Sequence, residues 1–303
     1  MKKIRFKYLY AIIYSIILTI FTIYVILDTL LIPTEYSKVQ NDVNEFFGET
    51  ESDDEKNIEA KITDNTYEDE NIKISIKTYT KYNTKIYVAD VQISSLKYLK
   101  SALAKNTYGK NITEKTSTMA KNNNAILAIN GDYYGVQETG YVLRNGVSYR
   151  ETSKSNKEDL VIFKDGSFDI IKETEISLEE LKDNGAYQVL SFGPALIENG
   201  NISVDKNTEV EKAMSTNPRT AIGIIDDLHY VFVVADGRTN ESEGVSLYEL
   251  AEFMNQLDVK TAYNLDGGGS STMYFNGKIV NNPTTNGNKI SERSVSDIVY
   301  IGY

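Results

Sequence analysis

The chain has 303 residues, 41% of them hydrophobic, enough to bury a sizeable core and to exclude wholesale disorder. It has no cysteine, which excludes disulfides, thiolate zinc sites and cysteine nucleophiles, and its one histidine, His229, excludes multi-histidine metal clusters. The net charge of −11 is uneven: residues 1–32 carry +3, from Lys2, Lys3, Arg5 and Lys7 against Asp28, and the remainder carries −14, which repels nucleic acid.

Residues 8–27 are an unbroken uncharged, mostly apolar run, extended past Asp28 by residues 29–32. About twenty helical residues cross a bilayer's hydrocarbon core, whereas a cleavable signal peptide has a shorter apolar region and small residues at its cleavage site. This run ends in Leu30-Leu31-Ile32-Pro33, so an uncleaved anchor is expected, and the basic cluster before it is kept cytoplasmic by the positive-inside rule. The expected location is the plasma membrane, single-pass, with everything after Pro33 extracellular.

Residues 41–70 hold twelve acids and two lysines. Such a run repels itself, so 33–70 is expected to be a flexible acidic stalk, with a short helix around residues 39–47 as the alternative. The pattern changes at Asn71. Ile72, Ile74 and Ile76 alternate with polar residues, as do residues 85–93, so two strands open a domain spanning 71–303. Residues 96–103 have helical spacing. Residues 125–130 (AILAIN) and 229–235 (HYVFVVA) read as buried strands, and 160–171 as a hairpin turning at Asp165-Gly166. Ser246 and Glu249 form a capping box with Val245 and Leu250 as its staple, opening a helix that buries Leu247, Leu250, Met254 and Leu257. Residues 261–265 are a strand, and 273–280 a hairpin turning at Asn276-Gly277. Strands outnumber helices and hairpins join them. The expected class is α+β, with largely antiparallel sheets and packed helices behind one N-terminal transmembrane helix.

Polar clusters follow the buried strands: Asn130 to Tyr134 after AILAIN, Asp236-Gly237-Arg238-Thr239 after HYVFVVA, and Asp266-Gly267-Gly268-Gly269-Ser270 after TAYNL. Rigid scaffolds present functional loops in this way. Three consecutive glycines suggest amides approaching an anion, although no Gly-Lys-Ser/Thr follows to make a P-loop. Each cluster taken singly also reads as an ordinary tight turn.

In order, NGDYYG (130–135), FGPALIENG (192–200), NPRTAIG (217–223), VVADGRT (233–239), SLYELAEFMNQLDV (246–259), AYNLDGGGSSTM (262–273), NGKIVNNP (276–283) and RSVSD (293–297) resemble the catalytic domain of the phosphodiester glycosidase family. The resemblance covers roughly residues 72–303. It implies hydrolysis of a sugar-1-phosphodiester between the anomeric carbon and oxygen, in cell-surface polysaccharide or wall-polymer metabolism. It implies Asp266 and Asp236 as catalytic carboxylates. Arg219, Asn130, Gly131, Asn264, Gly267, Gly268, Gly269, Ser270 and, more weakly, Arg238 are implied as substrate-binding. Asp132 and Arg238 depart from the mammalian members' motifs, which have glycine and glutamine there.

The chemistry suits these residues: a carboxylate stabilises or attacks the cationic sugar, an arginine fork matches phosphate oxygens, and Asn130 and Asn264 can meet sugar hydroxyls. Tyr133 and Tyr134 could stack on a sugar ring, while His229, mid-strand, reads as structural. The expected partners are a sugar-phosphate glycan and the membrane, with no nucleic acid and no required cofactor. Two alternatives stay open: a non-catalytic glycan-binding protein, and a phosphodiesterase in which Asp236 and Asp266 hold a divalent cation and the P–O bond breaks.

Overall fold

The computed structural model describes residues 8–39, 43–48, 59–154, 157–208 and 216–303. Lys2, Lys3, Arg5 and Lys7, and residues 40–42 and 49–58 of the acidic run, lie outside the described residues. Helix α1 (Leu9–Leu30) takes up the apolar run, and none of its 22 residues is buried. At about 1.5 Å per residue it reaches about 33 Å, long and apolar enough to cross a membrane.

The described parts of the acidic segment, 34–39, 43–48 and 59–70, lie against the domain. Strand Thr34–Lys38 pairs with Thr107–Lys110 of the domain. Helix α2 (Val43–Phe47) sets Phe46 and Phe47 against Tyr187, with ring centroids 5.0 and 5.2 Å away. Strands Lys61–Ile62 and Thr66–Glu68 extend the largest sheet by pairing onto Ile72–Lys81. Tyr36, Phe46, Phe47 and Tyr67 are interleaved among the acids, and each packs on a partner that offsets the charge repulsion. The folded body therefore begins near Thr34, not at residue 71.

Every named strand pair among the described residues is antiparallel, as the alternating pattern and short hairpins require. A nine-stranded sheet has at its centre Thr261–Leu265, Arg219–Asp226, His229–Ala235, Thr84–Ile93 and Ile72–Lys81, in that order. A five-stranded sheet centred on Leu127–Asn130, between Met273–Phe275 and Asp297–Ile301, packs on one face of it. A second five-stranded sheet, with Glu158–Phe163 and Ala186–Leu190 at its centre, joins the same core.

Helices cover the outer faces. Helix α3 (Thr116–Asn122) buries Met119 and Ala120 against Ala128, Tyr274 and Ile298. Helix α4 (Leu178–Asp183), capped by Ser177, covers the second five-stranded sheet through Leu178 and Leu181. Helix α5 (Leu247–Asn255) carries the expected capping box and seals the far face of the nine-stranded sheet with Leu247, Leu250, Phe253 and Met254.

This layering explains the unbroken apolar runs. In His229–Ala235, Phe232 and Val234 face the inter-sheet core, while Val231, Val233 and Ala235 face α5. A strand covered on both faces has no polar side to show, so alternation disappears. Residues 96–103 depart from expectation: Leu96–Tyr98 is a single 3-10 turn, and Leu99–Leu103 is a strand paired over five residues with Asp297–Ile301. The leucine spacing fits a helix, but the edge of the five-stranded sheet recruits the backbone.

Candidate active site

The strand Thr261–Leu265 lies inside the nine-stranded sheet, and Asp266 follows at its end. The neighbouring strand places Thr220 opposite Leu265, so Arg219 lies beside Asp266. On the facing sheet, Leu127–Asn130 ends at the same level. Asn130 Nδ2 donates to the Asp266 carbonyl at 2.6 Å, and the Asp266 amide donates to the Gly131 carbonyl at 3.1 Å. Asp266 is thus clamped between two sheets.

Its carboxyl is almost wholly buried. Among the described residues Oδ2 accepts no hydrogen bond, and it lies 3.5 Å from Arg293 Nη2. Burial pushes the carboxyl up from the ordinary range, and the Asp132 charge adds to this. Ser270, the Arg293 guanidinium and the Gly267 amide pull it back. Arg293 itself is fixed from the loop below: Nε and Nη2 donate to Ser270 Oγ at 3.0 and 2.6 Å, and Nη2 reaches the Gly267 carbonyl at 3.4 Å.

The glycine run has a packing cause. Gly268 has φ +60°, and a Cβ there would lie 2.9 Å from Arg238 Nη2. A Cβ at Gly267 would lie 2.9 Å from the Pro218 carbonyl, and one at Gly269 would lie 2.5 Å from Thr285 Oγ1. The Gly268 and Ser270 amides donate to the Pro218 and Gly267 carbonyls, so they are not the anion donors expected of them. The Gly267 amide instead supports Asp266.

Asp236 does not mirror Asp266. Its Oδ1 accepts from Asn281 Nδ2 at 3.1 Å and the Asn282 amide at 2.9 Å, and its Oδ2 accepts from Tyr87 Oη at 3.3 Å. Asn281 in turn donates to the Ser271 carbonyl and accepts from the Met273 amide. Asp236 therefore fastens the return of the Asp266 loop, and burial raises its pKa.

The two asparagines expected at sugar hydroxyls are fully buried. Asn130 Oδ1 accepts from Thr220 Oγ1 at 2.8 Å and the Thr272 amide at 3.2 Å. Asn264 Nδ2 donates to the Gly193 carbonyl at 2.8 Å. Asn130 thus has its amide oxygen and nitrogen both held by the framework, whereas Asn264 Oδ1, buried, has no hydrogen-bond partner among the described residues. Gly131 packs so closely that a Cβ would fall 2.2 Å from Asp297 Oδ1. Arg219 is 3% exposed and donates through Nε to the Val245 carbonyl at 3.2 Å. Tyr134 is buried and stacks on Tyr108, which leaves Tyr133, in left-handed backbone (φ 68°) and 39% exposed, as the aromatic at the surface. His229 pairs with Asp90 at the opposite end of its strand from Asp236.

A family model described as phosphodiester glycosidase matches residues 123–302, more than half of the chain. The chain belongs to the phosphodiester glycosidase family. An uncharacterized SPbeta prophage-derived protein of Bacillus subtilis (strain 168) is 28% identical over 201 residues, covering 65% of this chain and 31% of its own length. The N-acetylglucosamine-1-phosphodiester alpha-N-acetylglucosaminidase of Mus musculus is 34% identical over 176 residues, covering 52% of this chain and 33% of its own. The chain spans about a third of the length of these relatives. The zebrafish N-acetylglucosamine-1-phosphodiester alpha-N-acetylglucosaminidase catalytic domain, auto-inhibited by its pro-peptide, shares the fold: TM-score 0.60 at 20% identity, over 91% of this chain and 99% of that one.

In this member of the family the sequence did not single out three charged features. One is Arg293, which the RSVSD motif contains but nothing in the local pattern marks. Another is the buried set Asp132–Arg144–Asp297, in which Arg144 Nη2 lies 2.8 Å from Asp132 Oδ2 and 2.9 Å from Asp297 Oδ2. The third is Asp159, buried, whose carboxyl is pushed well up by desolvation and the nearby Glu173. Arg144, a lone charge in an apolar strand, was the available signal. Among the described residues no group of three or more His, Asp or Glu side chains is arranged to hold a metal ion.

Proposed function

We propose that this protein is a membrane-anchored extracytoplasmic hydrolase that cleaves the glycosidic bond of sugar-1-phosphodiesters in a surface polysaccharide or wall polymer. The observation that carries the reading is the Asp266 carboxyl, held at the junction of two sheets with an unsatisfied oxygen facing Arg293. As the anomeric C–O bond breaks, its electron pair leaves on the phosphate oxygen and the sugar becomes cationic. A carboxylate beside the anomeric carbon stabilises that charge, and an adjacent guanidinium neutralises the departing phosphate. Water supplies its oxygen to the sugar and one proton to solvent, so the products are a free reducing sugar and a phosphomonoester dianion. The relatives named for N-acetylglucosamine-1-phosphodiester support the substrate class.

The anchor reading is supported by α1, apolar and exposed throughout, and the basic residues before it support a cytoplasmic N-terminus. The test is hydrolysis of a sugar-1-phosphodiester panel in 18O-water by the full chain in detergent. Label in the released sugar is the expected result. Label in phosphate, or sugar phosphate as the product, would replace the reading with P–O cleavage.

A further inference from the structure

We propose that Arg293 and Arg238 form a two-guanidinium clamp that binds the phosphate of the substrate across the glycine loop. The proposal rests on the reading above and adds the residues that take the leaving group. The two side chains come from separate segments and meet one short piece of backbone. Arg293 reaches the Gly267 carbonyl and Ser270 Oγ. Arg238, itself in left-handed backbone at φ 63°, lies against Gly268, where any Cβ would strike its Nη2.

What holds the two arginines is mostly neutral. Arg238 donates from Nη2 to Asn217 Oδ1 at 2.8 Å and from Nη1 to the Thr285 carbonyl at 2.5 Å, and among the described residues no carboxylate lies within 4 Å of it. Arg293 is anchored by a serine hydroxyl and a carbonyl, and its one acid, Asp266, sits 3.5 Å away without a hydrogen bond. These contacts fix both forks without cancelling their charge. The pair carries +2 against the single Asp266 carboxylate, and the Arg238 pKa is lowered by burial first and then by the Arg293 charge, so the two cations feel one another. A site with uncompensated, pre-oriented positive charge fits an anion.

It fits this anion better as the reaction proceeds. A phosphodiester carries one negative charge; when the electron pair of the anomeric C–O bond moves onto the bridging oxygen, the phosphate moves toward two. The clamp is therefore more favourable in the transition state than in the ground state, which is the condition for a rate effect. Asp266 sits beside Arg293 at the point where the opposite charge develops on the sugar.

Two readouts test it on the full chain in detergent, with melting curves confirming that each variant is folded. The first is binding of inorganic phosphate by calorimetry. The wild type is expected to bind, with R293Q and R238Q each weakening binding by about tenfold or more, the scale of a charge-assisted hydrogen-bonded contact. The second is kcat/KM on a sugar-1-phosphodiester against an aryl glycoside of the same sugar. R293Q is expected to lower the phosphodiester value by about a hundredfold and the aryl value by far less, since with the aryl substrate only the effect of Arg293 on Asp266 and Ser270 is lost, with R293K intermediate. No phosphate binding by the wild type, or binding unaltered in both variants, overturns the clamp. So does an equal loss on both substrates, which would make Arg293 merely a support for the loop. Arginine-dependent phosphate binding with no sugar release from any phosphodiester would leave the clamp standing and overturn the catalytic reading.

Discussion

Asp266 and Asp236 both terminate buried strands and both precede glycine, yet their surroundings give them different work. Every oxygen of Asp236 accepts from a protein donor, whereas Oδ2 of Asp266 accepts from none among the described residues. Asp266→Asn keeps the size and removes the charge that a cationic sugar needs, so turnover should fall by at least about a hundredfold with an ordinary melting transition. Asp236→Asn puts an amide NH2 against donors from Asn281, Asn282 or Tyr87. It should therefore destabilise by about 1–3 kcal/mol, lowering the melting temperature more than Asp266→Asn does. Steady-state kinetics and thermal melts on the two variants decide the matter. Near-normal turnover in Asp266→Asn would move the chemistry elsewhere. The sequence supplied these two candidates because Asp-Gly after a buried strand is a visible pattern. It could not rank them, since the donors to Asp236 come from residue 87 and residues 281–282, far away in the chain.

At the scale of elements, the legible parts were those whose pattern is local. The hairpins at Asp165-Gly166 and Asn276-Gly277, the strand His229–Ala235 and the capped start of α5 all formed where turn and cap residues placed them. Residues 96–103 misled because the decisive partner, Asp297–Ile301, lies almost two hundred residues away. A separation of 153 residues likewise hid the joint between strands Val142–Arg144 and Asp297–Ile301, where one guanidinium serves two carboxylates. One positive charge cannot balance two buried negatives, so Asp297 is pushed up to about 7, by burial first and then by Asp132, against the pull of Arg144. The folded state then keeps a proton that the unfolded chain releases near pH 4. That contribution is complete below the unfolded value and is lost as pH rises through about 7. Asp159, also raised, acts with the same sign. Stability should accordingly fall between about pH 4 and pH 7, by up to about 1.4 kcal/mol per pH unit for each proton involved, which is read as a falling melting temperature. Asp297→Asn leaves Asp132 and Arg144 as a balanced pair and should flatten the slope; identical slopes in the two proteins would refute the assignment.

For the whole molecule, the question is how the domain sits relative to α1. Composition alone suggests a long tether, but three residues separate the end of α1 from the strand Thr34–Lys38, which is already paired with Thr107–Lys110. Asn111 Nδ2 donates to the Thr29 and Ile32 carbonyls at 3.2 Å each, closing the helix end with a side chain from the domain. Farther on, Phe46 covers Gly146 so tightly that a Cβ on the glycine would fall 2.2 Å from the ring. If α1 spans the bilayer, the domain rests on the membrane surface and does not hang from a stalk. A chain carrying a specific protease site inserted within residues 49–58 distinguishes the two arrangements. On a free stalk, one cut frees the domain from membranes at once. In the arrangement described here, the cut leaves residues 34–47 bound by strand pairing and by the Phe46–Phe47 contacts with Tyr187. Both fragments should then stay with the membrane fraction after a buffer wash and separate only in denaturant. Replacing Phe46 and Phe47 together with Ala should release the cut domain under milder conditions, because burying each ring contributes about 1–3 kcal/mol to the hold. Immediate release of the wild-type domain on cutting would show that the segment does not bind, and would restore the tether.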